Sequence, residues 1–274
     1  EDSDPEFFHV FDLFEAQSKA LLGQHGEALA VAEEAVRRTQ DVSPRDRYSL
    51  CRIYGAVALC LAETGDTNPR LLSCIEAFLT VAPRPRKVPY YIKSFYVSLA
   101  YLRLRRYEKT TRETRTTDRR DLIEALKLLN EAASVPFFKC HYHAVVAGLA
   151  RIDGDLKKSR QAIALCEEIS HEVNGAWSLY ESTRQKAHLL WGQGNTAGAM
   201  LASQAALALC IDNSWSDRAR RLRMEFPQLS GGQTVVPTQV MDSNTVGTWR
   251  FQQQLDAIMQ VGTATARVLD PQEQ

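Results

Sequence analysis

The sequence predicts an all-α protein: about five long helical hairpins in series, then a short capping helix and, past a linker, one further helix. Three observations carry this. Small residues recur at Ala16, Ala58, Ser98, Ala147 and Ala187, at intervals of 42, 40, 49 and 40 residues, the fixed-period self-similarity of a solenoid. Gly23, Gly65, Gly154 and Gly194 keep step with them, each standing where the first helix of a pair should end, while the third unit carries Arg105 and Arg106 instead. Ala28, Ala32 and Ala35 lie three and four residues apart, so they share one helix face and let a neighbouring helix approach closely.

Composition bounds the rest. With 274 residues, 45% apolar and 24% charged, the chain has enough apolar side chains for a sizeable core. Its 33 Lys and Arg balance 33 Asp and Glu, so no global field draws it to nucleic acid or an anionic membrane. No run approaches 18 consecutive apolar residues, and the acidic opening EDSDPEFF lacks the basic region of a signal peptide. A chain opening on Glu1 is expected to be a piece of a longer protein. Six scattered cysteines among apolar neighbours read as small core residues of a reducing, cytoplasmic compartment.

The elements follow in order. A first helix from about Glu6 to Leu22 carries Phe7, Phe8, Phe11 and Phe14 on one face, which is expected to pack on a preceding repeat. Ser43-Pro44 opens the second unit, whose long helix ends near Glu63; its partner stops at Pro83-Arg84-Pro85. The third unit begins near Pro89. Its long interval assigns about nine inserted residues to Tyr107–Asp121, polar and basic, expected to protrude as a loop or frayed helix end. The fourth unit starts after Pro136 and the fifth at Gly175. Trp215–Phe226 is an amphipathic helix whose Trp215, Leu222 and Phe226 can cap the end of the stack. Residues 1–226 thus form the repeat domain and 227–247, rich in Gly, Ser, Thr and Pro, a flexible linker. In 248–274, Phe251, Leu255, Ile258, Gly262, Thr265 and Leu269 follow a coiled-coil spacing, a seam that offers a dimer contact through 251–269.

Gly23-Gln24-His25-Gly26-Glu27-Ala28 with Ala32 and Ala35, Arg106-Tyr107-Glu108-Lys109, and Gly194 with Ala199 and Ala206 resemble the tetratricopeptide repeat family over residues 6–213. The interval near 40 exceeds that family's 34, which implies longer helices, like those of bacterial regulatory domains of this type. The resemblance implies a right-handed α-α superhelix whose first helices line a concave groove. It places Gln17, Arg52, Arg103, His141, Arg151, Glu181, Arg184, His188 and Trp191 as candidate contacts to a protein or peptide partner. The last twenty residues resemble the helix that enters a GAF sensory domain. Together the two resemblances imply a segment of a kinase or ATPase, repeat, GAF and histidine-kinase signalling protein, in which the repeats also contact the flanking modules.

No phosphate-binding glycine loop, HExxH, GxSxG or paired CxxC occurs, so enzymatic activity, cofactor and metal are not expected. Cys140 and His143 share a helix face with no fourth ligand nearby. Arg105, Arg106, Arg112, Arg115, Arg119 and Arg120, with Arg103 just upstream, form a basic stretch over 103–120. It is the alternative site, for a ligand or nucleic acid, but interleaved acids and few stacking aromatics disfavour nucleic acid.

Overall fold

In a computed structural model, residues 14–42, 47–65 and 68–230 are described. The aromatic face of Phe7, Phe8 and Phe11, the Ser43-Pro44 opening, most of the linker and the 251–269 seam lie outside these residues. The described residues form helices and contain no strand. In order they are α1 (14–21), α2 (His25–Val42), α3 (Arg47–Thr64), α4 (Pro69–Leu79), α5 (Ser94–Glu108), α6 (Arg115–Ala132), α7 (Pro136–Ile152), α8 (Leu156–Glu172), α9 (Ala176–Gly192), α10 (Thr196–Asp212) and α11 (Ser216–Glu225).

The turn glycines explain the register. Gly23, Gly65, Gly154 and Gly194 all have positive φ, between +66° and +85°, which a side chain disfavours. After α7, Gly154 N–H reaches the Arg151 carbonyl and Asp155 N–H the Ala150 carbonyl, at 3.2 and 2.9 Å, closing a left-handed C-terminal cap. Asp155 then caps α8 by accepting from Lys158 N–H at 3.0 Å. Gly194 and Asn195 repeat both steps between α9 and α10. One short segment ends a helix and begins the next, which forces an antiparallel hairpin.

From α3–α4 to α9–α10 each hairpin packs its two helices together, and the first helices α3, α5, α7 and α9 touch in sequence. Small residues sit where the packing is closest: Ala147 is fully buried, and Ser159 of α8 donates to its carbonyl at 3.0 Å. The core is continuous through the third unit, where Phe95, Tyr96, Leu99 and Tyr101 are buried.

Two expectations about the third unit are corrected. Ala147 and Ala187 lie five residues before the ends of their helices, but Ser98 lies in the second turn of α5, so it is not their equivalent. The equivalent position is Arg103. With it the intervals become 42, 45, 44 and 40, so the nine extra residues are shared between two intervals and form no single insertion. Tyr107–Asp121 is accordingly no protruding loop: α5 runs to Glu108, α6 begins at Arg115, and six residues join them. Short 3-10 turns at Pro85–Lys87 and Tyr90–Ile92 flank Pro89, and α5 itself begins at Ser94. At the far end, the first four residues assigned to the linker form a 3-10 turn, Pro227–Ser230, packed on α10 and α11.

Candidate interaction site on the first helices

Helix α11 departs most from a simple terminal cap. It packs on α10 as expected, with Ala219, Leu222 and Phe226 buried, but it also reaches α3 near the start of the described chain. Glu63, in the last turn of α3, accepts from Arg218 at 2.7 Å and from Arg221 at 2.5 Å. Arg221 also donates to the carbonyls of Ala62 and Glu63, at 3.2 and 3.0 Å, where the α3 dipole leaves negative charge. His25 of α2 stands 3.0 Å from Asp217.

Below α11, charged side chains from successive first helices converge. Glu108 of α5 accepts from Arg105, Arg151, Arg184 and Gln185, at 2.9 to 3.1 Å. Arg184 of α9 turns its other edge to Glu225 of α11, at 2.6 and 2.7 Å, and His188 meets the same carboxylate at 3.0 Å. Arg105 makes a two-oxygen contact with Glu181 at 2.7 and 2.8 Å. A cavity of about 530 Å³ lies among α3, α5, α7, α9 and α11, with Gly65 and Lys109 also in its lining.

Burial alone would raise the Glu63, Glu108 and Glu225 carboxyls. The guanidiniums against them, Arg218 and Arg221 for Glu63 and Arg184 for the other two, hold all three well below the usual carboxylate range. Burial lowers His188 from its ordinary value despite Glu225, and it pushes His141 down to about 3, with Arg218 adding to the shift. The His141 ring shares a hydrogen bond between its Nδ1 and the Tyr101 hydroxyl, at 3.0 Å, and packs edge-on to Trp177.

Of the groove candidates, Arg151, Glu181, Arg184 and His188 are brought together in this network, and Trp191, 42% exposed, stands beside Phe226 at its edge. His141 is core. Arg103 points away, to Glu76 of α4 and Asp121 of α6. Gln17 is half-buried on α1, and Arg52 lies over the Phe14 ring at 4.5 Å.

The basic stretch is dispersed. Arg105 belongs to the buried network, Arg106 faces Asp118 at 3.4 Å, Arg119 pairs with Asp153 at 2.8 Å and Arg120 with Asp121 at 3.1 Å. Arg115 donates to the Ile152 carbonyl at 3.2 Å and covers Tyr107; Arg112 is exposed. Cys140 donates its thiol to Phe137 carbonyl at 2.8 Å, and no three His, Cys, Asp or Glu side chains among the described residues are placed to hold a metal.

Sequence reasoning missed Glu63, Glu108, Arg218, Arg221 and Glu225. Their one legible signal was the crowding of Arg218, Arg220, Arg221 and Arg223 on a helix that also carries Leu222. Comparison with protein-family models, curated proteins and solved structures finds no match.

Proposed function

We propose that this chain is a non-enzymatic protein-interaction scaffold: a tetratricopeptide-like right-handed superhelix whose concave face, formed by the first helices, receives a protein or peptide segment. The observation that carries this is that one cavity draws its lining from α3, α5, α7 and α9 together, with α11 seated against the same side chains. A face already able to hold one helix by side chains of α2, α3 and α9 has the geometry of a peptide groove. Its charged side chains engage one another, and among the described lining residues no nucleophile is seen in contact with a base, so recognition suits it better than catalysis. Within a larger signalling protein, a segment bound here would shift how successive hairpins stack and so reposition neighbouring modules.

Site-specific photo-crosslinking in the cell that expresses the protein tests the proposal. A crosslinker at Trp191, exposed beside the network, should give discrete protein adducts. At Leu165 of α8 or Leu201 of α10, 44% and 69% exposed on the second helices, it should not. Adducts of equal yield at all three positions, or none at Trp191, would contradict it.

A further inference from the structure

We infer that α11 is a displaceable occupant of its seat, and that the external partner of this face is an arginine-bearing helix with the same pattern: two arginines three residues apart, then a glutamate and an aromatic residue. This rests on the scaffold reading and adds the chemistry of the partner.

The seat is specific for that pattern. Arg218 enters a box of rings, with its guanidinium carbon 5.0 Å from Trp177, 5.5 Å from Tyr180 and 4.3 Å from Trp215, while Glu63 takes its charge. Trp215 travels with α11, but Trp177, Tyr180 and Glu63 belong to the face. One turn on, Arg221 reaches Glu63 from the other side. Two turns on from Arg218, Glu225 meets Arg184 and His188, and Phe226 lies 4.7 Å from the His188 ring. Thus negative charge at one end and positive charge at the other fix the direction of the bound helix, and the rings fix its register.

The fit of α11 is nonetheless imperfect. Trp177 Nε1, Tyr180 Oη, Arg218 Nη1, Arg221 Nε and His25 Nδ1 are buried and lack a hydrogen-bond partner among the described residues. All five lie along the contact of α11 with α2, α3 and α9. Elsewhere among the described residues such atoms are confined to Arg103. Buried unpaired donors oppose docking, so a chain that concentrates them at one seam holds that seam less firmly than its ion pairs indicate. The attachment joins these ion pairs to an apolar part, Ala219, Leu222 and Phe226 with Trp215 and Leu229 packed beside them, so a helix that matches both its charges and its apolar positions exchanges for α11 with little net change in exposed apolar surface.

The test uses the full chain and a fluorescent synthetic peptide of residues 214–230. Arg218→Glu with Arg221→Glu sets two carboxylates against Glu63 and evicts α11. This variant should bind the peptide saturably by anisotropy, at least tenfold more tightly than the unaltered chain, whose own α11 competes at high effective concentration. Adding Glu63→Gln should weaken that binding at least tenfold. Equal binding by variant and unaltered chain, or none by a variant whose circular dichroism remains helical, would overturn the inference while leaving adducts at Trp191 to decide the scaffold reading separately. Should the variant not fold, excess peptide on the unaltered chain must speed amide hydrogen exchange in 216–225, and unchanged exchange there would equally overturn it.

Discussion

Glu63 and Arg218, 155 residues apart, meet at 2.7 Å with their side chains only 5% and 2% exposed, joining the end of α3 to the first turn of α11. A contact of this sequence separation gives nothing to the local stability of either helix. Its effect falls on the relation between the first and last parts of the described chain.

Removing one partner leaves the other charge buried. Glu63→Ala strands Arg218 and Arg221 and should cost about 3–5 kcal/mol, the range for breaking a buried pair. Urea unfolding measures the loss, and hydrogen exchange in α11 should rise ahead of exchange in α7 and α8.

Glu108 is the hub of the second cluster. Glu108→Ala leaves Arg105 and Arg184 without their shared carboxylate and should lower the melting temperature by roughly 6–12 °C, taking about 3 kcal/mol and the slope expected for a domain of this size. Arg120→Ala, which removes an exposed contact to a sequence neighbour, should change stability by less than about 0.5 kcal/mol.

Stability should fall with acid in two stages. His141 titrates near 3 in the folded chain and near 6.5 when unfolded, so the unfolded state takes up its proton first. The contribution is complete above about pH 6.5 and is lost as pH falls toward 3, at up to about 1.4 kcal/mol per pH unit. His188, also lowered, acts in the same direction. Glu63, Glu108 and Glu225 are depressed, so their contribution is present above about pH 4.3 and is lost below it, steepening the fall. Denaturant midpoints from pH 7.5 to 3.5 measure this, and His141→Gln should flatten the upper stage.

Two glycines should respond in opposite ways to alanine. Gly154 has φ +84° with open space around its Cβ position, so Gly154→Ala should cost about 1–2 kcal/mol through the backbone alone. Gly26, in the first turn of α2 with equal space and no positive φ, should gain about 0.4–1 kcal/mol as alanine. Thermal unfolding of both variants checks the sign.

What the sequence disclosed is what is encoded locally. Gly23, Gly65, Gly154 and Gly194 mark turns because the left-handed backbone there excludes most other residues, and Asp155 and Asn195 follow as caps for the same local reason. Ser98 misled because a small residue inside a helix looks alike wherever it stands, while its true counterpart, Arg103, hides its size by reaching between Glu76 and Asp121. Arg184 and His188 were legible as neighbours on one face, but their partners Glu108 and Glu225 were not, since no periodicity links residues 76 or 37 positions apart. The arginines of α11 look like a solvated face until Glu63 is placed beside them.

The docking of α11 beside the Gly23 turn is most directly measured by a disulfide. A Cβ built at Gly23 would lie 3.6 Å from that of Asp217, within the range that a disulfide spans. Gly23→Cys with Asp217→Cys should crosslink under mild oxidation, seen as a 23–217 disulfide peptide in intact folded protein, despite the cost of a side chain at φ +85°. Two freely alkylated thiols at these positions, in protein that stays helical and monomeric, would contradict the arrangement.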